Sequence, residues 1–201
     1  GESRNRRYRG AMTDATTETA SPSPAGERRW RDDLHLAHTI ADQVDPLTRG
    51  HFEAQDVEVE TKPDLTPVTA ADREAERLIR DYLSRARTRD SVLGEEFGVT
   101  GHSPRQWIID PIDGTKNFVR GVPVWATLIS LVEDGRVVVG LASAPALGKR
   151  WWAVAGGGAW SGRSLALAHQ LHVSGVAALE DASLSYSSLS GWAERRRLRG
   201  M

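Results

Sequence analysis

Two carboxylates three residues apart, Asp110 and Asp113, stand at the end of the apolar run Trp107-Ile108-Ile109, with Pro111 and Ile112 between them and Gly114-Thr115 directly after. Carboxylate oxygens suit a hard divalent cation such as Mg²⁺, which keeps several coordination positions for water and phosphate oxygens. Glycine lets a ligand approach the backbone closely. A turn of helix opening at Thr115 would present free N–H groups to a phosphate. The chemistry these residues could perform is metal-assisted phosphate chemistry. The plainer alternative is a polar turn closing a core strand, with Asp-Gly as ordinary turn residues.

Other acids reinforce the first reading. Val92-Leu93-Gly94-Glu95-Glu96 is a second short apolar run ending in acid. If both runs are strands of one sheet, Glu95 and Asp110 lie at the carboxyl ends where ligands of α/β sheets collect. Thr69-Ala70-Ala71-Asp72 precedes a helical pattern and fits a capping box, which by itself accounts for both polar residues.

The elements that must position these residues follow from periodicity. The spacing of Leu34, Ala37, Ala41 and Val44 predicts a helix from Trp30, ended by Pro46. Val57 to Thr61 alternates like an edge strand, and 62–67 form a Pro-bounded loop. A second helix is expected over Ala71–Leu83. Gln106–Asp110 is expected as a buried strand that stops at Pro111. Trp125–Val132 and Val137–Ala144 form a hairpin across Glu133-Asp134-Gly135-Arg136, and Lys149–Ala155 a third strand. Gly156-Gly157-Gly158 makes a turn, since no Lys-Ser/Thr follows to complete a phosphate loop. The Trp151-Trp152 pair is expected to pack on the sheet. Leu171-His172-Val173 and Ala182–Ser187 are further strand candidates.

Composition limits the function classes. A hydrophobic content of 39% supplies a core, and a net charge of −1 offers no bulk attraction to nucleic acid or membrane. With no cysteine, any metal must be held by oxygen or histidine. No apolar run is long enough to span a bilayer, and the N-terminus has no apolar signal core, so the cytoplasm is expected. Residues 1–29, rich in Arg, Ser, Thr and Pro, are expected to form a disordered arm; Met12 is a candidate natural start.

Three motifs in order, Thr69-Ala70-Ala71-Asp72, Gly94-Glu95-Glu96 and Asp110-Pro111-Ile112-Asp113-Gly114-Thr115, resemble those of the inositol monophosphatase-like family of Mg²⁺-dependent phosphatases. Asp113 to Trp125, Ser143-Ala144-Pro145-Ala146, Arg150-Trp151-Trp152 and Ser187 to Trp192 look most like the histidinol-phosphate phosphatases of actinobacteria. The resemblance runs from about Leu34 to about Trp192.

It implies a layered α/β sandwich, with two helices over a large antiparallel sheet. The expected division is an arm at 1–29, a metal-binding α+β domain at 30–180, and the start of a C-terminal α/β domain at 181–201. Family members continue past Met201 and complete the metal site with the aspartate of a Trp-Asp motif, which this chain lacks. The resemblance therefore implies that the second half is largely missing and that turnover by this chain is weak or absent. An exposed face that favours association follows from the same expectation.

The implied roles are specific. Glu95, Asp110 and the Ile112 carbonyl would hold one Mg²⁺, and Asp110 with Asp113 part of a second. Thr115, hydrogen-bonded to Asp72, would orient water as the catalytic pair. Substrate contacts would fall on Glu95, Ile112, Asp113, Gly114 and Thr115, with the N–H groups of Gly114 and Thr115 on the phosphate. Lys62 and Asp64 would lie in a loop over the metals. The partner implied is a small phosphorylated substrate, L-histidinol phosphate by Lys116 and Arg120, with a homodimer if the full-length fold is present. Neither nucleic acid nor membrane is expected. The alternatives are another small phosphomonoester such as inositol 1-phosphate, a non-catalytic metal-binding remnant, or a nucleic-acid binder using the arginine-rich ends.

Overall fold

The computed structural model describes residues 24–54, 59–61 and 67–185. The chain divides into two units, one ending at Leu171 and one beginning at His172.

The first unit is built as two helices on an eight-stranded sheet. Helix α1 spans Pro24–Ala54 and α2 Ala70–Ala86. The strands are β3 Ser91–Gly94, β4 Gly98–Thr100, β5 Arg105–Asp113, β6 Ala126–Glu133, β7 Arg136–Ala144, β8 Lys149–Val154, β9 Ala159–Ser164 and β10 Leu167–Leu171. They lie in the order β10-β9-β8-β7-β6-β5-β3-β4. All neighbours are antiparallel except β3 and β5, which run parallel. A separate ribbon pairs β1 (Val59–Thr61) with β2 (Pro67–Thr69). A short helix α3, Thr115–Val119, follows β5.

Period-two alternation decides which face is covered. Trp107 and Ile109 of β5, Ile129 and Leu131 of β6, Val139 and Leu141 of β7 and Trp152 of β8 are buried. They pack against Leu34, Ala37, Ile40, Ala41 and Val44 of α1 and Ala75, Ile79 and Leu83 of α2. Ile108 and Trp151, on the opposite face, are each 36% exposed. The tryptophan pair is thus split: Trp152 meets the His38 ring edge-on in the core, and Trp151 faces outward. The β6–β7 hairpin forms as expected, with Asp134 and Gly135 both at positive φ in the turn.

Several boundaries differ from expectation for physical reasons. Helix α1 starts six residues early, at Pro24, a residue suited to a first helical turn. It also continues through Pro46 rather than ending there. Proline removes one helical hydrogen bond. Packing compensates: Val44 and Thr48 are buried, the Thr48 hydroxyl donates to the Val44 carbonyl, and Asp45 is held by Arg150 and Ser143. Strand β5 likewise does not stop at Pro111 but reaches Asp113. Its pairing with β6 skips from Asp110–Leu128 to Asp113–Ala126, so Pro111 sits in an irregularity where no donor is needed. There its carbonyl accepts from Thr127 Oγ1 at 2.8 Å.

Beyond Leu171 the expected strands do not form. His172 and Val173 are exposed and unpaired in any ladder, and 182–185 carry no strand. The second unit's described residues contain one 3₁₀ turn, Leu179–Asp181. Residues 186 and 187 of that expected strand lie outside the described residues, as do Lys62, Asp64 and residues 1–23 of the expected arm.

Candidate metal and phosphate site

Parallel pairing of β3 with β5 aligns Gly94 with Ile109. The next residues along are Glu95, just past the end of β3, and Asp110, within β5, so the two acids are neighbours at that end of the pair. The irregularity after Asp110 brings Asp113 to the same strand end. The Asp110 carboxyl is pushed up to about 8, first by burial, then by the charge and hydrogen bond of Glu95, then by the charge of Asp113. Asp110 Oδ1 is buried with no hydrogen-bond partner, and Glu95 and Asp113 are exposed.

The floor of the site is a second small core. Ile112, Phe118 and Trp125 pack with Ala71 of α2, and Phe52 of α1 leans against Phe118 and Trp125. This cluster ties the start of α2 to the Asp110–Thr115 turn. At that start, Thr69 and Asp72 form a capping box. The Asp72 N–H donates to Thr69 Oγ1 at 3.3 Å, and Thr69 N–H donates to Asp72 Oδ2 at 2.8 Å. The Thr69 hydroxyl also donates to Oδ2. Both residues are buried.

Gly114 has φ +93°, and a Cβ there would lie 3.1 Å from the Val124 carbonyl oxygen. This position needs glycine on both counts. Gly114 caps α3, accepting from Asn117 and Phe118 N–H, while the first N–H groups of α3 have no preceding turn to accept them. The Thr115 hydroxyl donates to the Ile112 carbonyl at 3.1 Å. That bond engages the single hydroxyl hydrogen of Thr115, the group expected to pair with Asp72. The Ile112 carbonyl, expected as a metal ligand, already accepts from Thr115.

Among the described residues, no group of three or more His, Asp or Glu side chains is drawn together tightly enough to enclose a cation. The donor chemistry nevertheless fits a hard divalent ion: carboxylate oxygens only, mutually repelling, with one buried oxygen unsatisfied.

A residue that sequence reasoning missed lies beneath Glu95. Glu76, fully buried on α2, accepts from Glu96 N–H at 2.7 Å and from Phe97 N–H at 3.1 Å, and pairs with Arg80 at 2.8 Å. Asp72, Glu76 and Arg80 recur at intervals of four on α2, a ladder visible in the sequence. Nothing in that spacing says that the middle acid faces a neighbouring turn.

The model of the inositol monophosphatase family matches residues 30–200. The chain belongs to the inositol monophosphatase family. Within it, the chain is 66% identical over 175 residues to a histidinol-phosphatase of Streptomyces coelicolor, a match covering 85% of this chain and 66% of that protein. It is 61% identical over 163 residues to a histidinol-phosphatase of Mycobacterium tuberculosis, covering 81% of this chain and 63% of that protein. The chain thus spans about two thirds of these curated relatives, or slightly less. An IMPase structure from Thermotoga maritima superposes with a TM-score of 0.68 at 33% identity, covering 84% of this chain and 65% of that one. The mixed α/β fold with its eight-stranded sheet is similar to that of this IMPase structure.

Proposed function

We propose that this chain carries the metal- and phosphate-binding part of a Mg²⁺-dependent phosphomonoesterase that converts L-histidinol phosphate to L-histidinol and inorganic phosphate. The observation that supports the reading is the parallel β3–β5 pairing that sets Glu95 beside Asp110, with Asp113 past the irregularity that follows and a buried Asp110 oxygen unsatisfied. The substrate rests on similarity to the two histidinol-phosphatases.

Glu95, Asp110, Asp113 and the Ile112 carbonyl would hold the cation. When bound, Mg²⁺ supplies Lewis acidity toward water and phosphate oxygens. The N–H groups of Gly114 and Thr115 bind the phosphate and stabilise charge on it as the ester bond breaks. Water adds its hydroxyl to phosphorus, and its proton ends on the departing alcohol. Orientation of that water by Thr115 and Asp72 requires the Thr115 hydroxyl to leave the Ile112 carbonyl. Homodimerisation and cytoplasmic residence accompany this reading as proposals from the family resemblance.

The test is phosphate release from L-histidinol phosphate with Mg²⁺, with inositol 1-phosphate alongside. This chain is compared with one extended by the C-terminal third of a histidinol-phosphatase. Release from L-histidinol phosphate by the extended chain, lost in Asp110→Asn, is expected. Faster release from inositol 1-phosphate would overturn the substrate, and undiminished activity in Asp110→Asn would overturn the site.

A further inference from the structure

The turn that presents Glu95 is short, Glu95 to Phe97 between β3 and β4, and Glu95 itself is exposed. Helix α2 holds the backbone of this turn. Glu76 takes the N–H groups of Glu96 and Phe97 with its two carboxylate oxygens, Oε2 and Oε1 respectively. Arg80, one helical turn on, donates Nε to Glu76, Nη1 to Thr100 Oγ1 at 2.7 Å, and Nη2 to the Gly98 carbonyl. Together the pair grips the turn and the β4 arm of the β3–β4 hairpin.

Gly94 records the same contact from the other side. Its φ is not positive, so no backbone conformation demands glycine there. A Cβ would instead overlap the Glu76 carboxylate. That carboxylate cannot swing away without giving up two N–H donors and its arginine. The glycine before Glu95 is thus the room that Glu76 occupies.

We propose that Glu76 and Arg80 are a positioning pair that fixes the Glu95 turn so that Glu95 meets Asp110. The role rests on the metal-site reading above, because its purpose is to pre-set one carboxylate of that site. It also makes α2 a common frame: Asp72 sits in its first turn, Glu76 one turn later, Arg80 one turn after that. Partners of metal ligands commonly set affinity 10–100-fold, because they remove the cost of orienting the ligand.

Glu76→Gln tests this with little change of volume. It places an amide N–H₂ against one of the two N–H donors that the carboxylate now accepts. Mn²⁺ binding by paramagnetic resonance is the first readout, and deuterium exchange at the Glu96 and Phe97 amides of the metal-free chain the second. The expected result is Mn²⁺ affinity about tenfold weaker, faster exchange at those two amides, and unchanged exchange in β6 and β7. A lowered melting temperature with Mn²⁺ affinity and both amides unchanged would mark Glu76 as merely structural and overturn the proposal. If the unsubstituted chain binds no Mn²⁺, the metal-site reading fails instead. The amides then decide alone: protection lost in Glu76→Gln supports the clamp, and protection kept overturns it. Should Glu76→Gln not fold, Arg80→Lys keeps a cation beside Glu76 while removing the Gly98 and Thr100 bonds. A several-fold loss of Mn²⁺ affinity is expected there, and none would overturn the role.

Discussion

His38 makes this fold sensitive to acid, by an amount that follows from its surroundings. The ring is 5% exposed, meets Trp152 at 4.6 Å between centroids, and its Nε2 has no hydrogen-bond partner. Burial, and then the Arg150 guanidinium, hold its pKa down from 6.5 to about 4, with a smaller opposing pull from Asp42 and a small further push from His35. Above pH 6.5 the ring is neutral in folded and unfolded chains alike, and full stability is present. As pH falls below 6.5 the unfolded chain takes up a proton that the folded one refuses, and stability is lost down to the folded value near 4. At about 1.4 kcal/mol per pH unit, the loss is about 2 kcal/mol by pH 5 and about 3 kcal/mol by pH 4. That is a large share of the stability of an ordinary domain. The assay is urea unfolding at pH 7.5, 5 and 4, for the chain and for His38→Leu, which keeps an apolar side chain of similar size. Other groups titrate in both chains, so the difference in slope isolates His38. The unsubstituted chain should lose about 3 kcal/mol more than the variant between pH 7.5 and 4. Parallel slopes would refute the reasoning.

Two further outcomes are expected. Thr69→Ala deletes one half of the α2 capping box and should lower stability by about 1–2 kcal/mol in urea, with a matching loss of protection at the Asp72 amide. Arg105→Met leaves the buried Asp33 with Arg87 alone and removes partners from Asp90 and Glu133; a loss of about 3 kcal/mol is expected in thermal melts. A double-mutant cycle with Asp33→Asn should show strong coupling, and additive losses would refute the network.

Much of the first unit was legible because local rules and tertiary packing agree there. Apolar alternation in β6, β7 and β8, the Asp-Gly turn between β6 and β7, and the stripe on α1 each point to the element that forms. Residue types and order put Glu95, Asp110, Asp113, Gly114 and Thr115 forward as candidates, and the family resemblance of the three motifs joined Asp72 to them as one set. The errors lie where packing overrides a local signal. Pro46 stays in a helix because Val44, Thr48 and Asp45 are fixed by the sheet beneath. Pro111 stays in a strand because the ladder is irregular at that place. The short β9 and β10 strands show little alternation, and pairing defines them: β9 with β8 and β10, β10 with β9.

The arrangement of the site belongs to the tertiary structure. No sequence rule states that β3 and β5 run parallel in a sheet otherwise antiparallel, yet that pairing sets Glu95 beside Asp110. By contrast, the contacts of the Thr115 hydroxyl with Ile112 and of the Asp72 carboxylate with Thr69 each span three residues, and the second is the capping box legible in the sequence. Glu76 is the clearest case. In sequence it is one acid among several on an amphipathic helix; its burial under Gly94 appears only once the β3–β4 turn folds over it. Residue types fix which chemistry the chain can perform. The directions those residues point depend on contacts between segments far apart in the chain, and only the folded chain makes them.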